Sequence, residues 1–200
     1  MRVSVIGCGY VGLVSGAGLA EKGHSVMCVD QDLDKVAKIN AGVPPFYERG
    51  LGELLSRHVP GRLRATSDLE AAVLGSDLTL VAVGTPDNGR HIDLSAIETA
   101  CTEVGKALQR KASYHVVVVK STVVPGTTER LVLRTLEASS GKTAGASFGL
   151  GMNPEFLTEG QAVADFLEPD RIVIGGIDAR SLQSIERLYD SFKGVPVLRT

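Results

Sequence analysis

The 200-residue sequence contains no tryptophan, few aromatic residues overall and no excess of one charge. Its 21 Lys and Arg residues face 23 Asp and Glu residues, which leaves a net charge of −2. A nearly neutral chain without runs of like charge lacks the basic surface that binds polyanions, so we expect no nucleic-acid partner. No apolar stretch approaches the length of a bilayer span, so we also expect no membrane partner.

Cysteine and histidine are also scarce. The odd number of cysteines, Cys8, Cys28 and Cys101, and the lack of CxxC spacing predict neither a disulfide framework nor a zinc site. The chain begins Met-Arg and continues directly into a strand pattern, so we expect no secretory signal and a reducing cytoplasmic setting. No histidine stands at metal-ligand spacing from a cysteine or carboxylate, so we predict no metal site and structural or surface roles. These histidines are His24, His58, His91 and His115.

What is present is a regular alternation of short apolar runs and longer segments of helical period. The predicted strands are 2–6, 25–29, 78–83, 115–119, 148–152, 171–174 and 196–198. The predicted helices are 11–22, 33–41, 50–58, 68–74, 95–108, 127–138 and 180–192. Near-continuous Val, Ile and Leu in several strands is typical of a sheet covered on both faces. We therefore predict one α/β domain over residues 1–200, a doubly wound, Rossmann-type, mostly parallel sheet with helices on both faces.

Two details belong to the predicted helix 95–108. Ser95, followed by Glu98 three residues later, has the pattern of a capping box and predicts a helix start at Ser95. Cys101 falls on the apolar face of the same helix, so we predict a core position for it.

The most informative motif is G-x-G-x-x-G, which follows the first predicted strand as Gly7, Gly9 and Gly12. Gly7 allows a tight turn, Gly9 lets the backbone approach a pyrophosphate, and Gly12 lets the next helix pack closely. An acid, Asp30, ends the second strand, where it would accept hydrogen bonds from ribose hydroxyls and repel a 2′-phosphate. The pattern predicts an NAD site, with NAD favoured over NADP. Lys35 either reaches the adenosine end or lies on a solvated helix face.

Three further segments carry polar residues directly after predicted strands. Gly84-Thr85-Pro86 either lines a cofactor groove or forms a plain turn. Ser121 and Thr122, after four valines, either serve a site or cap a turn. Glu155 and Glu159 would share one face of a helix if their segment is helical. They then either divide binding and proton transfer or are acids favoured by a helix N-terminus.

Taken together, these segments resemble the NAD-binding N-terminal domain of the UDP-glucose/GDP-mannose 6-dehydrogenase family. The resemblance rests on GCGYVG at 7–12, VD at 29–30, VGTP at 83–86, KSTVVPGT at 120–127, NPEFLTEG at 153–160 and EPDRIVIGG at 168–176. It implies an oxidoreductase that converts C6 of a nucleotide sugar from alcohol to carboxylate with two NAD per turnover.

The resemblance also implies roles for individual residues. Tyr10, Val11 and Gly12 would hold the pyrophosphate, Asp30 and Lys35 the adenosine, and Thr85 and Ser121 would line the cofactor groove. Thr122 would position a water, and Glu159 would face the nicotinamide. Glu155 would act as acid and base in the hydrolysis of the family's enzyme-bound thioester. The backbone at Phe156 and Leu157 would meet substrate.

The family's nucleophilic cysteine, its lysine–asparagine pair, its dimerisation helix and its substrate domain belong to segments later than Thr200. None of the three cysteines here stands in the context of that nucleophile. UDP-glucose is the first expected substrate; GDP-mannose and UDP-N-acetylhexosamines remain open. The 200 residues by themselves are expected to bind NAD without turnover, and the longer enzyme to be a homodimer or larger. A Rossmann dehydrogenase of the 3-hydroxyacyl or 6-phosphogluconate type is the other alternative.

Overall fold

The structure is a computed structural model that describes residues 1–87, 89 and 92–200. The sequence interpretation of His91 lies outside the described residues. Eight strands form one sheet over this part of the chain. They are β1 Arg2–Ile6, β2 Ser25–Val29, β3 Leu63–Thr66, β4 Leu78–Val81, β5 His115–Val119, β6 Phe148–Met152, β7 Ile172–Gly176 and β8 Val197–Arg199.

Eight α-helices connect the strands within the described residues. They are α1 Tyr10–Glu21, α2 Leu33–Asn40, α3 Leu51–His58, α4 Leu69–Gly75, α5 Ser95–Arg110, α6 Leu133–Ser140, α7 Ala162–Leu167 and α8 Ala179–Glu186. A π-helical turn, Thr128–Val132, leads into α6, and a 3₁₀ turn, Arg187–Tyr189, follows α8.

The sheet has the strand order β3-β2-β1-β4-β5-β6-β7-β8. All neighbouring strands pair in parallel except β6 and β7, which are antiparallel. The chain runs outward from β1 to β3, then crosses back to β4 and continues in the other direction. This arrangement confirms the predicted doubly wound fold and puts a topological switch point between β1 and β4.

Two apolar cores, one on each face of the sheet, explain the continuous apolar strands. In β5, Val116 and Val118 face the core beneath α1, α3, α7 and α8, whereas Val117 and Val119 face the core beneath α4, α5 and α6. Because side chains alternate along a strand, a strand covered on both faces buries consecutive residues, so apolar residues follow one another without alternation. The predicted core position of Cys101 is confirmed, since its side chain is fully buried.

Local predictions fail at several places, among them α7, Ala162–Leu167, which no predicted helix covers, and the predicted helix 180–192, whose α-helical part ends at Glu186. The sheet has an edge strand, β3, where none was predicted, because its four residues include the exposed Arg64. Ser95 does not cap α5: its backbone N–H instead donates to the Asp93 carboxylate at 2.9 Å, and the residue before the helix is Leu94. The predicted helix 127–138 begins as the π-helical turn and ends two residues later than expected, at Ser140.

The histidines that the structure describes are buried. His115 is fully buried in β5, where its Nε2 lies 2.7 Å from the Thr79 hydroxyl. Burial lowers the pKa of His115 to about 3, with Lys111 adding to the effect, so the ring is neutral at physiological pH. His24 and His58 are also buried. The Nε2 of His24 is hydrogen-bonded to the Leu188 carbonyl, and the Nε2 of His58 to the Glu21 carboxylate. These contacts agree with structural roles.

None of the helices in the described part of the chain combines the length and apolar character needed to cross a membrane.

Candidate functional site

The polar segments singled out in the sequence meet at one edge of the sheet. The glycine turn follows β1, the Gly84–Pro86 segment follows β4, Ser121 and Thr122 follow β5, and the 153–160 segment follows β6. These four strands are neighbours in the sheet, and their carboxyl ends point the same way. Open α/β sheets bind ligands in the crevice at this edge, beside the switch point.

The glycine turn is built for close approach. Gly7 adopts a left-handed conformation with φ of 96°, and its N–H donates to the Val29 carbonyl at 2.8 Å. A Cβ at Gly12 would lie 1.8 Å from the Gly7 carbonyl oxygen, so only glycine lets α1 start here. A Cβ at Gly9, by contrast, would meet no protein atom within 4 Å. Gly7 and Gly12 are therefore required by the fold, whereas Gly9 keeps open a space that the fold does not use.

That open space faces the start of α1. Gly9 is the N-cap residue and, among the described residues, no side chain caps the helix and no acid lies in its first turn. The first N–H groups of a helix have no acceptor within the helix and carry a partial positive charge. Tyr10, Val11 and Gly12 thus present backbone donors that suit a phosphate.

Asp30 lies beside the turn, at the end of β2. One carboxylate oxygen accepts the Cys8 N–H at 2.8 Å, and the other accepts the Asp32 N–H at 3.0 Å. The Lys35 amine is 3.7 Å from Asp30 Oδ2 and 4.0 Å from Asp32 Oδ2. Each Asp30 oxygen retains acceptor capacity beyond its one backbone donor. The structure thus brings the acid and Lys35 together at the end of the site reached from β2.

The β4 and β5 loops are joined by hydroxyl groups. The Thr85 hydroxyl donates to the Thr122 carbonyl at 2.8 Å, and the Ser121 hydroxyl donates to the Val83 carbonyl at 2.7 Å. Ser121 is buried and Thr122 is exposed. The hydroxyls of Thr85 and Ser121 thereby fix the shape of this wall, and the Thr122 side chain is left at its surface.

The segment 153–160 is not helical, so Glu155 and Glu159 do not share a helix face. Neither acid lies in the first turn of α7, which starts at Ala162, and the interpretation as helix-start acids is therefore also wrong. Glu155 folds back so that its Oε2 accepts the Leu157 N–H at 2.6 Å. Glu159 is exposed. The two carboxylates occupy different environments along one irregular loop.

The irregular loop starts from a buried polar cluster that the sequence motifs did not single out. The Lys120 amine donates to Asn153 Oδ1 at 2.9 Å, and the Tyr189 hydroxyl donates to the same oxygen. Asn153 in turn donates from Nδ2 to the Val173 carbonyl at 2.8 Å. Lys120, Asn153, Tyr189 and Glu155 all line a small cavity of about 40 Å³.

Burial lowers the pKa of Lys120 to about 8, and the charge of Glu155 partly opposes this effect. The amine therefore titrates near neutral pH, which is unusual for lysine. Lysine and asparagine occur inside the KSTVVPGT and NPEFLTEG motifs, but Tyr189 comes from a distant turn and no local pattern connects it to them. The cluster fixes the first residue of the irregular loop to β5 and β7.

Two aromatic residues frame the outer part of the loop. The Arg171 guanidinium lies 4.3 Å from the centre of the half-exposed Phe156 ring. At the other end, the Tyr10 hydroxyl lies 3.2 Å from the Thr158 carbonyl, which brings the loop against the start of α1. Leu157 packs partly buried on the main core. The loop thus spans the distance from the Lys120 cluster to the glycine turn.

The residues of this edge fit a dinucleotide. The fit rests on the space at Gly9, on the uncapped start of α1 and on the acceptor capacity of Asp30. Within residues 1–87, 89 and 92–200, no group of three His, Cys, Asp or Glu side chains could hold a metal ion.

Comparison with known proteins identifies relatives over nearly the whole chain. The family model described as the UDP-glucose/GDP-mannose dehydrogenase family, NAD binding domain, matches residues 1–193. A UDP-glucose 6-dehydrogenase of Haloferax volcanii is 47% identical over 191 residues, covering 94% of this chain and 44% of the relative. A GDP-mannose 6-dehydrogenase of Pseudomonas aeruginosa is 44% identical over 202 residues, covering 100% of this chain and 46% of the relative.

A solved structure is also similar. The ternary complex of GDP-mannose dehydrogenase from Pseudomonas aeruginosa superimposes with a TM-score of 0.96 at 42% identity, covering 100% of this chain and 46% of that one. The chain spans about half the length of the relatives that it matches.

Proposed function

Because this chain belongs to the UDP-glucose/GDP-mannose dehydrogenase family and matches its NAD-binding domain, we propose that residues 1–200 are the NAD-binding domain of a nucleotide-sugar 6-dehydrogenase. The observation that carries the proposal is the open space at Gly9, between the uncapped start of α1 and the Asp30 carboxylate. The family match also favours this family over Rossmann dehydrogenases of the 3-hydroxyacyl or 6-phosphogluconate type.

The backbone donors of Tyr10, Val11 and Gly12 bind the pyrophosphate, because they are fixed N–H groups at a helix start. Asp30 accepts from the adenosine ribose hydroxyls, and its charge disfavours a 2′-phosphate, so NAD is preferred to NADP. Lys35 stands beside Asp30 and contacts the adenosine end. Bound NAD supplies the hydride acceptor for both oxidation steps.

The remaining wall residues serve the cofactor and the sugar. Thr85 and Ser121 shape the cofactor groove, and Glu159 faces the nicotinamide side. The exposed Thr122 holds a water that receives the alcohol proton, because an alcohol loses hydride only as its proton leaves. Glu155, beside the backbone of Phe156 and Leu157 where substrate binds, activates a water that would attack the thioester formed on the nucleophilic cysteine of the longer enzyme, so that the carbon–sulfur bond breaks and the carboxylate and the free thiol are released.

UDP-glucose is the first proposed substrate, oxidised to UDP-glucuronate in two NAD-dependent steps. GDP-mannose is the second candidate, since relatives named for each substrate are similarly close, at 47% and 44% identity. UDP-N-acetylhexosamines are the third. The longer enzyme acts in the cytoplasm as a homodimer or larger assembly, and the 200 residues alone bind NAD without turnover.

The NAD site is tested by a pair of glycine variants. Gly9→Ala adds a methyl group that meets no protein atom, at a backbone φ of −72° that alanine adopts freely. We expect unchanged stability and at least about a tenfold loss of NAD affinity by titration calorimetry, since the methyl group occupies the pyrophosphate path. Gly75→Ala is the control, because its added Cβ also meets nothing within 4 Å. NAD affinity that is equal in the wild type and Gly9→Ala would refute the site.

The substrate is tested on the full-length enzyme. NADH formation is measured with UDP-glucose, GDP-mannose and UDP-N-acetylhexosamines, and we expect two NADH per sugar for the true substrate. The 200-residue chain is measured in parallel. NADH formation by the 200-residue chain alone would refute the division between an NAD-binding part and a nucleophile-bearing part.

A further inference from the structure

A buried carboxylate, Glu48, lies in the loop 42–50, which the proposed function does not use. Its side chain is only 4% exposed. Oε2 accepts hydrogen bonds from the Tyr10 hydroxyl and from the Gly160 N–H, the latter at 2.9 Å. Oε1 is buried and has no hydrogen-bond partner among the described residues. Burying a carboxylate is costly unless hydrogen bonds replace those lost to water, and the two donors to Oε2 are the groups that do so here.

The first donor, Tyr10, is held in a fixed orientation. Its ring packs on Phe46 of the same loop, with ring centres 5.6 Å apart. Removal from water, together with the hydrogen bond to Glu48, raises the pKa of Tyr10 to about 12. The hydroxyl therefore stays protonated and remains a donor to the carboxylate. The hydrogen bond from Tyr10 to Glu48 and the packing of Tyr10 on Phe46 together link α1 to the loop 42–50.

The second donor belongs to the irregular loop after β6. The Gly160 N–H lies 2.9 Å from the Tyr10 oxygen as well as 2.9 Å from Glu48 Oε2. The Tyr10 hydroxyl also lies 3.2 Å from the Thr158 carbonyl. Thr158 and Gly160 flank Glu159 directly in the sequence. The pair Glu48 and Tyr10 thus holds the backbone on both sides of Glu159.

The segment that carries Glu159 and the Asp30 carboxylate lie in opposite halves of the site. β1 to β3 form one mononucleotide half of the sheet and β4 to β6 the other, with the pyrophosphate between them at the switch point. The irregular loop follows β6, in the second half. With adenosine on the Asp30 side, the nicotinamide half of the cofactor extends toward the loop that carries Glu159.

We propose that Glu48 is a positioning residue that acts through Tyr10 and Gly160 to hold the Glu159 segment against the pyrophosphate turn, and so sets affinity for the nicotinamide half of NAD. The inference rests on the proposed function of this site. It assigns Glu48 a role that is exerted through Tyr10 and Gly160.

The test compares ligands with and without the nicotinamide half. Affinities for NAD and for ADP are measured by calorimetry on the 200-residue chain and on the variants Glu48→Gln and Tyr10→Phe. Tyr10→Phe keeps the ring on Phe46 and removes only the hydroxyl, so it reports on the link if Glu48→Gln folds poorly. Glu53→Gln is the matched control, since Glu53 is exposed on α3 in the same stretch of chain.

We expect each of the first two variants to weaken NAD binding by about tenfold while ADP affinity stays within about twofold. The double variant is expected to lose no more NAD affinity than either single variant, because both substitutions break the same Tyr10–Glu48 link. Equal losses for NAD and ADP, or no loss for NAD, would overturn the inference. A wild-type chain that binds neither ligand would instead refute the proposed function.

Discussion

Replacing Lys120 with methionine tests the consequence of burying an amine at the end of β5. The Lys120 side chain is 4% exposed, and its only hydrogen bond to a described residue goes to Asn153 Oδ1. Methionine has a similar length and no charge. Asn153 Oδ1 keeps the Tyr189 hydroxyl as a donor in the variant, so no buried acceptor is left unpaired there.

The expected change in unfolding free energy with pH follows from the pKa of the Lys120 amine. Burial lowers the pKa of Lys120 from 10.5 to about 8. Between these values the unfolded chain binds a proton that the folded chain has released, so unfolding takes up a proton. The stability of the wild type therefore rises with pH in this window, and the rise contributed by Lys120 between pH 7 and 10 is about 2 to 3 kcal/mol. At pH 7 the amine is mostly protonated in both states, so this rise in stability has not yet occurred and the folded wild type carries the cost of a buried charge.

The assay is guanidinium chloride denaturation of the wild type and Lys120→Met at several pH values from about 7 to 10. The difference in unfolding free energy is compared, because titrations common to both proteins cancel. We expect Lys120→Met to be at least as stable as the wild type near pH 7, and the wild type to gain on it as the pH rises. Lys106→Met is the control: the Lys106 amine is exposed, so no cost of burial acts on it and the gain expected for Lys120 should not be seen with this pair of proteins.

A difference between the wild type and Lys120→Met that does not change with pH would refute the reasoning. It would mean that the amine titrates at its ordinary pKa and is therefore hydrated in the folded protein. A wild type that loses stability relative to the variant as pH rises would refute it as well, since the charged amine would then be the stabilised form.

Two further predictions concern the turn after β1 and the edge of the sheet. Gly12→Ala should lower the unfolding free energy by about 3 kcal/mol in denaturant titrations, because its Cβ would lie 1.8 Å from the Gly7 carbonyl oxygen. A denaturation midpoint equal to that of the wild type would contradict this. Asn40→Ala should cost about 1 to 2 kcal/mol in the same assay, because the Asn40 amide holds both the N–H and the carbonyl of Ala65 at 2.8 Å. Unchanged stability of Asn40→Ala would show that water replaces the amide without loss.

The strands and helices were largely readable from the sequence because their patterns are local. Because side chains of β5 alternate between two cores, Val116 to Val119 are all buried, and the sequence shows this directly as a run of four valines. The edge strand β3 escaped because only one of its faces is buried and a charged residue interrupts it. The antiparallel pairing of β6 with β7 was also not readable, since pairing direction depends on the path of the chain between the strands.

The candidate site divides in the same way. The glycine spacing and Asp30 could be read because they belong to one β-α-β unit, whose regular geometry brings the end of β2 beside the turn that follows β1. The 153–160 segment was recognised by its motif, but its irregular shape was not. That shape depends on Lys120, Tyr189, Glu48 and Tyr10, which reach it from distant parts of the chain.

The sequence by itself determined the class of fold, the family and the cofactor, because local periodicity and short motifs encode them. Tertiary structure decided that Glu48 and Lys120 are buried partners of the irregular loop. It also decided that Glu155 and Glu159 lie in different environments. The physical reason is that burial and hydrogen-bond pairing are properties of packed neighbours, and residues far apart in the chain become neighbours only when the sheet assembles.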